Sequence, residues 1–460
     1  MTVAVTRSKA EQALTESFEA VAGALPGSAA VREARRRAIG TFAALGLPYR
    51  RIEEWKYTDL RALMKEAYAP AVGRPAAVDG RALDAALGPA LAALDAIPIV
   101  FIDGVFAPGL THVGGEHGRS WHFDPLARGL AQGFHWLEVL LGEASGPRSG
   151  AVIALNTAFA TDGALLRIVE GARLTKPLHL IFATGGVQKA AIATRNLIEV
   201  GAGADAVIVE SHVALGAAAS QHNTVTEIAV GDRARVQHLK VLAGGEGAAA
   251  SAHIGTWIAR LGAGAGYRAF QLTAGLPLVR NELHVAFAGE GAKLDFSGCF
   301  LGSGAEHVDT TLVVDHAVPA CESRELFKAV LADRARGIFQ GKVIVRPDAQ
   351  KTDGKQMAQA LMLSEDAEFD SKPELEIYAD DVACGHGSTA AELDADMLFY
   401  LCSRGITLSD ARALLIESFA GEAVDRIEHE PLREALSTIA KARLAGLARV
   451  RAPTRAEDQP

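Results

Sequence analysis

The chain has 460 residues, of which 49% are hydrophobic and 22% are charged, and its formal net charge at neutral pH is −9. This composition excludes a disordered chain, and the acidic balance argues against a nucleic-acid partner because no basic field is present to neutralise phosphates. Residues 1–30 lack the basic and apolar segments of a secretory signal, and no apolar run is long enough to cross a membrane. We therefore expect a cytoplasmic protein without membrane contact.

Four cysteines lie in the second half of the chain and form no Cys-x-x-Cys pair: Cys299, Cys321, Cys384 and Cys402. A chain this long and this poor in cysteine does not depend on disulfides, so free thiols are predicted. Cys299 and Cys321 are expected to be buried thiols without a direct role. Cys402 is expected to pack within an apolar helix.

The first part of the chain is predicted to be helical. Apolar residues recur at helical spacing from Ser8 to Ala24 and from Ala29 to Leu45, with a Pro-Gly pair between the two segments. A third Ala/Leu-rich helix is predicted from Arg81 to Ala96.

The second helix carries a dense cationic cluster: Arg32, Arg35, Arg36 and Arg37. These arginines alternate with apolar residues and fall mostly on one side of the helix. The pattern favours a solvated helix face over a site for an acidic partner.

From Ile97 the pattern changes to short apolar runs, which are typical of strands. Between about residues 176 and 345, strand–turn–strand units repeat, and their turn glycines recur every 27 to 31 residues: Gly201, Gly231, Gly262 and Gly289. Within the units apolar and polar residues alternate with period two. No stretch keeps a helical period for ten residues, so helical repeats are excluded.

The repeat interval distinguishes two architectures. A propeller blade needs about 40 residues for four strands, whereas a solenoid turn with two strands fits in about 30. We therefore predict a mainly β fold in which residues 97–390 form a right-handed β-helix. Helical regions are predicted at 1–96 and 391–451, followed by a disordered tail at 452–460.

Three helices are predicted after the solenoid. The first runs from Asp394 to Arg404 and ends at Gly405. The second runs from Leu408 to Ile427, with Ser409 as its N-cap, and the third from Leu432 to Val450.

The densest group of chemically reactive residues is Cys384-Gly385-His386-Gly387, where the solenoid gives way to helices. On an extended strand Cys384 and His386 share a face, because side chains two residues apart point the same way. Sulfur and imidazole suit zinc or an iron–sulfur species. Spacing alone favours the alternative that both residues are structural, since two ligands cannot close a metal site.

Two glycine-rich segments are superficially similar to nucleotide-binding loops. The segment Gly337 to Val343 has the wrong interval for a Walker A motif and lacks its Ser/Thr, so no ATP site is predicted. The segment Gly262 to Gly266 lies between two strand patterns with no helix after it, which predicts a solenoid turn.

The segment from Gln356 to Ile406 closely resembles the SufB/SufD family of iron–sulfur cluster assembly scaffolds, above all in Cys384-Gly385-His386-Gly387. The Glu-Glu-Trp-Lys-Tyr-Thr sequence at 53–58 resembles the amino-terminal segment of SufD-type members. SufB-type members usually have Cys-Glu-His-Glu at this position and more cysteines in the solenoid, so the chain is more similar to the SufD type. Gly385 and Ser388 depart mildly from the Ser-His-Gly-Ala-Thr sequence of many SufD-type members.

The resemblance implies a non-catalytic scaffold in a complex with SufB and with the ATPase SufC. His386 matches the histidine that is assigned to face SufB and to help hold a nascent, transient iron–sulfur cluster with a SufB cysteine. Cys384 is a weaker candidate for the same role. Reduced flavin (FAD) is a further cofactor that the resemblance suggests for the complex.

Two surfaces are expected to bind these partners. The end strands around Glu374 to Ala383 should pair with SufB, or with a second copy of the chain when SufB is absent, because an end strand has unpaired backbone groups. The C-terminal helices match the region that docks SufC. Their candidate residues belong either to the core or to the SufC-facing surface, and core is expected for most: Phe399, Tyr400, Arg404, Leu414, Leu415 and Phe419.

Seven histidines of the solenoid are each expected to be structural or surface residues: His212, His222, His238, His253, His284, His307 and His316. Only His307 and His316, with Asp309 and Asp315, are close enough in sequence to justify a metal test. Two other functions remain open. One is a β-helix polysaccharide hydrolase or lyase, by analogy of fold alone, and the other is a stand-alone zinc protein that uses Cys384, His386 and distant ligands.

Overall fold

A computed structural model describes residues 7–73, 77–134, 137, 150–244 and 251–447 of the chain. The predicted tail at 452–460 and the last residues of the predicted third C-terminal helix lie outside them. The helices are α1 (Lys9–Val21), α2 (Ala29–Leu45), α3 (Leu60–Leu63), α4 (Gly80–Ala92), α5 (Leu126–Gln132), α6 (Gly150–Phe159), α7 (Ala395–Ser403), α8 (Leu408–Val424) and α9 (Glu430–Leu447).

The strands begin at Ile97, as predicted, and continue to Ala391. They are β1 (Ile97–Ile102), β2 (Val105–Phe106), β3 (Trp121–Pro125), β4 (Ala164–Ile168), β5 (Leu178–Thr184), β6 (Ala190–Val200), β7 (Asp205–Ala214), β8 (Ser220–Val230), β9 (Arg235–Ala243), β10 (Ala252–Leu261), β11 (Gly266–Ala274), β12 (Leu278–Phe287), β13 (Lys293–Gly302), β14 (His307–His316), β15 (Glu322–Leu331), β16 (Arg336–Val345), β17 (Asp353–Met362), β18 (Glu368–Ile377) and β19 (Ala383–Ala391).

Two long sheets wind into a solenoid of about seven turns, which confirms the predicted β-helix with helices at both ends. The even-numbered strands from β4 to β18 form one parallel sheet, and the odd-numbered strands from β5 to β19 form the other. Each turn therefore adds one strand to each sheet.

The predicted repeat is visible in the register of the strands. Asn196 of β6 pairs with Thr226 of β8, thirty residues further along the chain. The turn glycines stack at one corner of the solenoid, where a Cβ added at Gly289 would lie 2.5 Å from the Cα of Ala263. A Cβ added at Gly231 would lie 2.7 Å from the Val200 carbonyl oxygen. Successive turns approach too closely at this corner for any larger residue.

The middle strands of the odd-numbered sheet, β9 to β15, bury both of their faces. Leu294 and Phe296 point into the space enclosed between the two sheets, which we call the lumen. Phe270 and Leu272 point outward and pack beneath the C-terminal helices. Some lumen side chains are polar, and His238 is held there at 2.8 Å from both Glu210 and the Tyr267 hydroxyl.

The N-terminal helices follow the predicted pattern with small changes at their ends. A capping box begins α1, because the Ser8 hydroxyl accepts from the Glu11 N–H while the Glu11 carboxylate accepts from the Ser8 N–H. Leu14 and Phe18 form the buried stripe of this helix. A break at Gly88, which has a φ of 74°, kinks α4.

The prediction of a fully solvated arginine face is wrong for Arg35. Its guanidinium is buried and donates to the carbonyl oxygens of Ala158 and Ala160 at 3.0 and 2.8 Å, at the C-terminal end of α6. A cation there complements the helix dipole and the free carbonyl groups. Burial lowers the pKa of Arg35 to about 10, so the side chain remains charged at neutral pH. The other three arginines are exposed, as predicted.

The C-terminal helices α8 and α9 pack on the outer face of the odd-numbered sheet, where Ile416, Val424 and Leu436 are buried. The helix α8 begins at Leu408, as predicted, but its N-cap is Thr407 and not Ser409, because the Thr407 hydroxyl accepts from the Asp410 N–H at 3.2 Å. None of the helices in the described residues is both long and apolar enough to span a membrane.

Candidate functional site

The last two strands form an open end of the solenoid. In the described chain β18 pairs only with β16 and β19 only with β17, so each strand has a free edge. Glu368 and Tyr378 donate their backbone N–H groups toward the neighbouring turn. By alternation along the strand, the nitrogen of Pro373 lies at the free edge, where a missing N–H costs no ladder hydrogen bond.

Cys384 and His386 lie on β19 at this open end, on the same side of the strand as predicted. Cys384 is half-buried against the apolar residues of the lumen, whereas His386 is exposed. Gly354 is the register partner of Cys384. A Cβ added at Gly354 would lie 3.6 Å from the Cys384 Sγ and 3.4 Å from the Ser323 Oγ, so the glycine leaves a small gap between thiol and hydroxyl.

The thiol of Cys384 is not activated. Burial raises its pKa above the ordinary value, although the Gly354 backbone N–H opposes this effect. The thiol is therefore protonated at neutral pH, whereas reactive cysteines have a lowered pKa. The imidazole of His386 is exposed and can bind iron through a ring nitrogen, whereas Cys384 would first have to lose its thiol proton. His386 is therefore the more available donor of the two.

The pair is an incomplete ligand set. Within the described residues, no group of three or more His, Cys, Asp or Glu side chains is arranged to hold a metal ion. A closed zinc site needs four ligands, and even a catalytic site needs three from protein. The stand-alone zinc hypothesis therefore gains no support from this part of the chain.

The residues suggested for a metal test lie on opposite faces of β14. His307 and Asp309 point outward and contact the Thr58 hydroxyl. His316 points into the lumen, where its Nε2 lies 3.1 Å from the Ser323 hydroxyl. Asp315 is outside and pairs with Arg346. The alternation of the strand thus separates His316 from the other three residues, and six residues of extended strand, about 20 Å, separate Asp315 from Asp309. The metal site is not formed among these residues.

Cys299 and Cys321 are buried, as predicted. Cys299 lies on the outer face beneath the C-terminal helices, and burial raises its pKa to about 12. Cys321 lies in the lumen close to the carbonyl oxygens of Gly289 and Pro319. Neither thiol reaches the surface, since both are fully enclosed.

Comparison with known proteins decides the family. The model of the SUF system FeS cluster assembly SufBD core domain matches residues 182–419, and that of the SufBD N-terminal region matches residues 8–180. The chain belongs to the SufBD family. It is 31% identical to the iron–sulfur cluster assembly protein SufD of Escherichia coli, over 88% of this chain and 91% of that protein.

Other SufBD proteins agree with this assignment. The chain is 32% identical to an iron–sulfur cluster assembly SufBD family protein of Synechocystis, over 85% of this chain and 86% of that protein. It is 27% identical to SufD of Bacillus subtilis over 62% of this chain. The SufD-type resemblance predicted from the sequence is thereby confirmed, and a role in iron–sulfur cluster assembly follows from it.

The C-terminal helices of this SufBD chain differ from the prediction. Phe399, Tyr400, Arg404 and Leu414 are exposed, and Phe399 is 76% and Leu414 49% accessible. The expectation that most of the six residues belong to the core is therefore wrong.

The reason is the orientation of the two helices. The described α7 has no buried residue, and Cys402 on it is only half-buried. In α8 the buried stripe includes Ala411, Ile416 and Ala420, which turns Leu414 outward. Leu415 and Phe419 are half-buried, and the Phe419 ring lies 4.4 Å from the buried Lys328 Nζ.

The SufBD-like segment at 53–58 has a structural role. The Trp55 ring is buried beneath the Arg280 guanidinium, whose Nη2 donates to the Glu54 carbonyl oxygen at 2.7 Å. Thr58 bonds Asp309, which also pairs with Arg280 at 2.5 Å. This segment therefore fastens the N-terminal region to the outer face of the even-numbered sheet, far in sequence from the residues that it contacts.

A polar group that was not predicted from the sequence lies beneath His386. Gln356 is the register partner of His386, and Glu325 is the register partner of Gln356. Both are buried in the lumen. The repeat itself was the signal that could have found them, because residues about one and two repeats before His386 must lie under it in a solenoid.

Proposed function

We propose that this chain is a non-catalytic scaffold subunit of a cytoplasmic SUF complex, which contributes His386, with Cys384 as a weaker donor, to a nascent iron–sulfur cluster site shared with a SufB partner. One observation carries the proposal: two soft donors lie on a strand with a free edge, and the described residues around them supply no further ligand set. The proposal draws the remaining ligands from the SufB partner. The cluster is the cargo of this site and not a resident cofactor.

The free edges offer the route by which a partner would reach the site. An edge strand pairs readily with another strand through main-chain hydrogen bonds. Two exposed apolar side chains lie at the C-terminal end of β18: Ile377, its last residue, and Tyr378, the residue after it. Pairing of SufB strands here would place SufB residues beside His386, and a second copy of the chain would use the same edges when SufB is absent.

The exposed apolar residues of α7 and α8 would bind the ATPase SufC. Met397, Phe399, Tyr400, Leu408 and Leu414 are exposed on these helices. Clustered apolar side chains of this kind are typical of a protein interface. The sequence contains no Walker A motif, which agrees with ATP hydrolysis by the partner. The proposal assigns no flavin site to this chain.

The decisive test uses the complex produced by co-expression with SufB and SufC. His386→Ala should lower the iron and acid-labile sulfide content of the complex, because the alanine side chain can neither ligate iron nor carry a proton. Subunit co-purification and the unfolding temperature should stay unchanged, since His386 is exposed and packs against little. Cys384→Ala should have a milder effect.

Ser388→Ala is the matched control, because Ser388 is exposed and lies two residues further on the same face of β19. Normal iron and sulfide in the His386→Ala complex would overturn the site assignment. Stoichiometric zinc in the isolated chain would instead favour the stand-alone zinc protein. Family membership gives no support to a polysaccharide hydrolase or lyase.

A further inference from the structure

A column of polar side chains runs down the lumen from the open end of the solenoid. His386 of β19 is in register with Gln356 of β17, which is in register with Glu325 of β15. Neighbouring strands lie about 4.8 Å apart, so Glu325 is two rungs below His386. The three side chains point to the same side of the sheet because they are register partners.

The two lower members of the column are buried without partners. Glu325 is 2% and Gln356 is 3% accessible. Within the described residues, neither carboxylate oxygen of Glu325 and neither polar atom of the Gln356 amide has a hydrogen-bond partner. A buried polar group left unpaired destabilises the fold, and more so when it is charged, so such groups in a native fold need an explanation.

The surroundings of the column accommodate Gln356. Gly341 faces it from β16 of the opposite sheet, and a Cβ added there would overlap the Gln356 amide. A larger residue at this position would displace the Gln356 amide from where it now lies. A space for a long polar side chain is therefore provided by the opposite sheet.

Partners for the two polar groups do not come from deeper in the lumen. The residue in register below Glu325 is Phe296, and its ring contacts that of Phe327, which contacts that of Phe339. These three aromatic rings close the lumen beneath the column. The nearby Ser323 hydroxyl lies 3.1 Å from the His316 Nε2, and no hydrogen bond joins it to either carboxyl oxygen of Glu325. The open polar direction is upward, toward His386.

We propose that Gln356 and Glu325 are positioning residues for His386. When one ring nitrogen of His386 binds iron, the other donates its hydrogen to the side-chain oxygen of Gln356. The side-chain nitrogen of Gln356 in turn donates to a carboxyl oxygen of Glu325. This inference rests on the proposed function of His386. A hydrogen-bonded outer partner of this kind fixes the tautomer and the orientation of a metal-binding histidine. An ordered water can bridge a gap between rungs.

The chain of hydrogen bonds also has a defined direction. When Glu325 accepts from Gln356, the Gln356 carbonyl is free to accept from His386, and the outer ring nitrogen keeps its lone pair for iron. Replacing the Gln356 amide by a thioether breaks this chain in the middle. Replacing the Glu325 carboxylate by an amide weakens its lower end without changing the size of the side chain.

The test compares Gln356→Met and Glu325→Gln in the complex co-expressed with SufB and SufC, with Lys355→Met, exposed on the same strand, as the control. Loss of an outer partner typically weakens metal affinity about 10- to 100-fold. Both variants should therefore lower iron and sulfide content, while the control stays normal. The isolated variants should unfold at the same temperature as the parent chain or higher, because Gln356→Met removes an unpartnered buried amide and Glu325→Gln replaces a buried acid by a neutral group of the same size.

Two further measurements distinguish positioning from a structural role. The histidine ¹⁵N signals of the assembled complex report the tautomer of each ring, and the signals of His386 are those missing from the spectrum of His386→Ala. These signals should show a changed tautomer in Gln356→Met. The double variant His386→Ala with Gln356→Met should hold no less iron than His386→Ala alone. If Gln356→Met and Glu325→Gln both hold normal iron while His386→Ala lacks it, this inference is overturned but the proposed function is not. Normal iron in His386→Ala overturns the proposed function itself.

Discussion

The guanidinium of Arg280 lies 3.7 Å from the centroid of the Trp55 ring and covers it in a cation–π contact. Arg280 is itself buried and is held by Asp309 and Glu282, the latter at 2.9 Å. The contact joins a short N-terminal segment to β12, more than two hundred residues away. One aromatic ring thus contributes to both the packing and the charge balance of this junction.

Trp55→Ala should destabilise the chain by about 3–5 kcal/mol, because it removes a buried ring and leaves a cavity. The loss of the cation–π contact adds to the effect, since Arg280 stays buried without its stacking partner. The midpoint of urea unfolding measures the change. Ile52→Ala, at an exposed position of the same segment, is the control and should stay within about 0.5 kcal/mol of the parent. Equal midpoints for both variants would show that the segment does not anchor the N-terminal region.

Phe399→Asp should abolish or strongly reduce co-purification of the ATPase SufC and leave the unfolding midpoint of the isolated chain unchanged. The reason is that Phe399 is largely exposed and stabilises nothing within the chain. Phe419→Ala should behave in the opposite way, with lower stability, because its ring covers the buried Lys328 ammonium. Arg36→Ala, exposed on α2, is the control for unspecific effects. Undiminished SufC binding by Phe399→Asp would exclude α7 from the docking surface.

The isolated chain should self-associate through the free edges of β18 and β19, with an average mass in light scattering that rises with concentration in the micromolar range. Ser388→Pro should weaken this association: Ala383 donates to the neighbouring turn, so by alternation the N–H of Ser388 points to the free edge. Thr389→Pro is the contrasting variant, because it removes a ladder hydrogen bond to β17 and should lower stability. A constant monomer mass at all concentrations would contradict the pairing of these edges.

Glu325 should make the isolated chain less stable as the pH rises through the neutral range. Burial raises the pKa of Glu325 to about 8 from an ordinary value of 4.5. The Ser323 hydroxyl and Arg324 on the same strand oppose the shift, and Asp295 adds to it. The folded state therefore holds this proton more tightly than the unfolded state, and the associated stability is present below about pH 4.5 and lost as the pH approaches 8.

The comparison of Glu325→Gln with the parent chain isolates this effect, because the amide does not titrate. The difference in unfolding midpoint, variant minus parent, should grow in favour of the variant between about pH 5 and pH 8. Urea unfolding at several pH values measures it. A difference that does not change with pH would mean that Glu325 has a normal pKa and is hydrated in the folded chain.

The features that the sequence determined by itself are those that depend on neighbouring residues and on the repeat. Alternation with period two and glycines at intervals of about thirty residues predicted the solenoid, because a close corner tolerates only glycine wherever it recurs. The first helix near Ser8, the strand at Ile97 and the shared face of Cys384 and His386 are likewise local. Each follows from the geometry of one helix or one strand.

The features that only the tertiary structure decided involve residues that are distant along the chain. Arg35 looked like a surface residue because its helix is cationic, but the end of α6 supplies the carbonyl oxygens that bury it. Phe399 looked like a core residue because it is large and apolar, but no described element covers α7. Burial is a property of what packs against a side chain, and local pattern does not contain the identity of that neighbour. The repeat could place Glu325 only approximately beneath His386, and the register of three strands decided the exact partners.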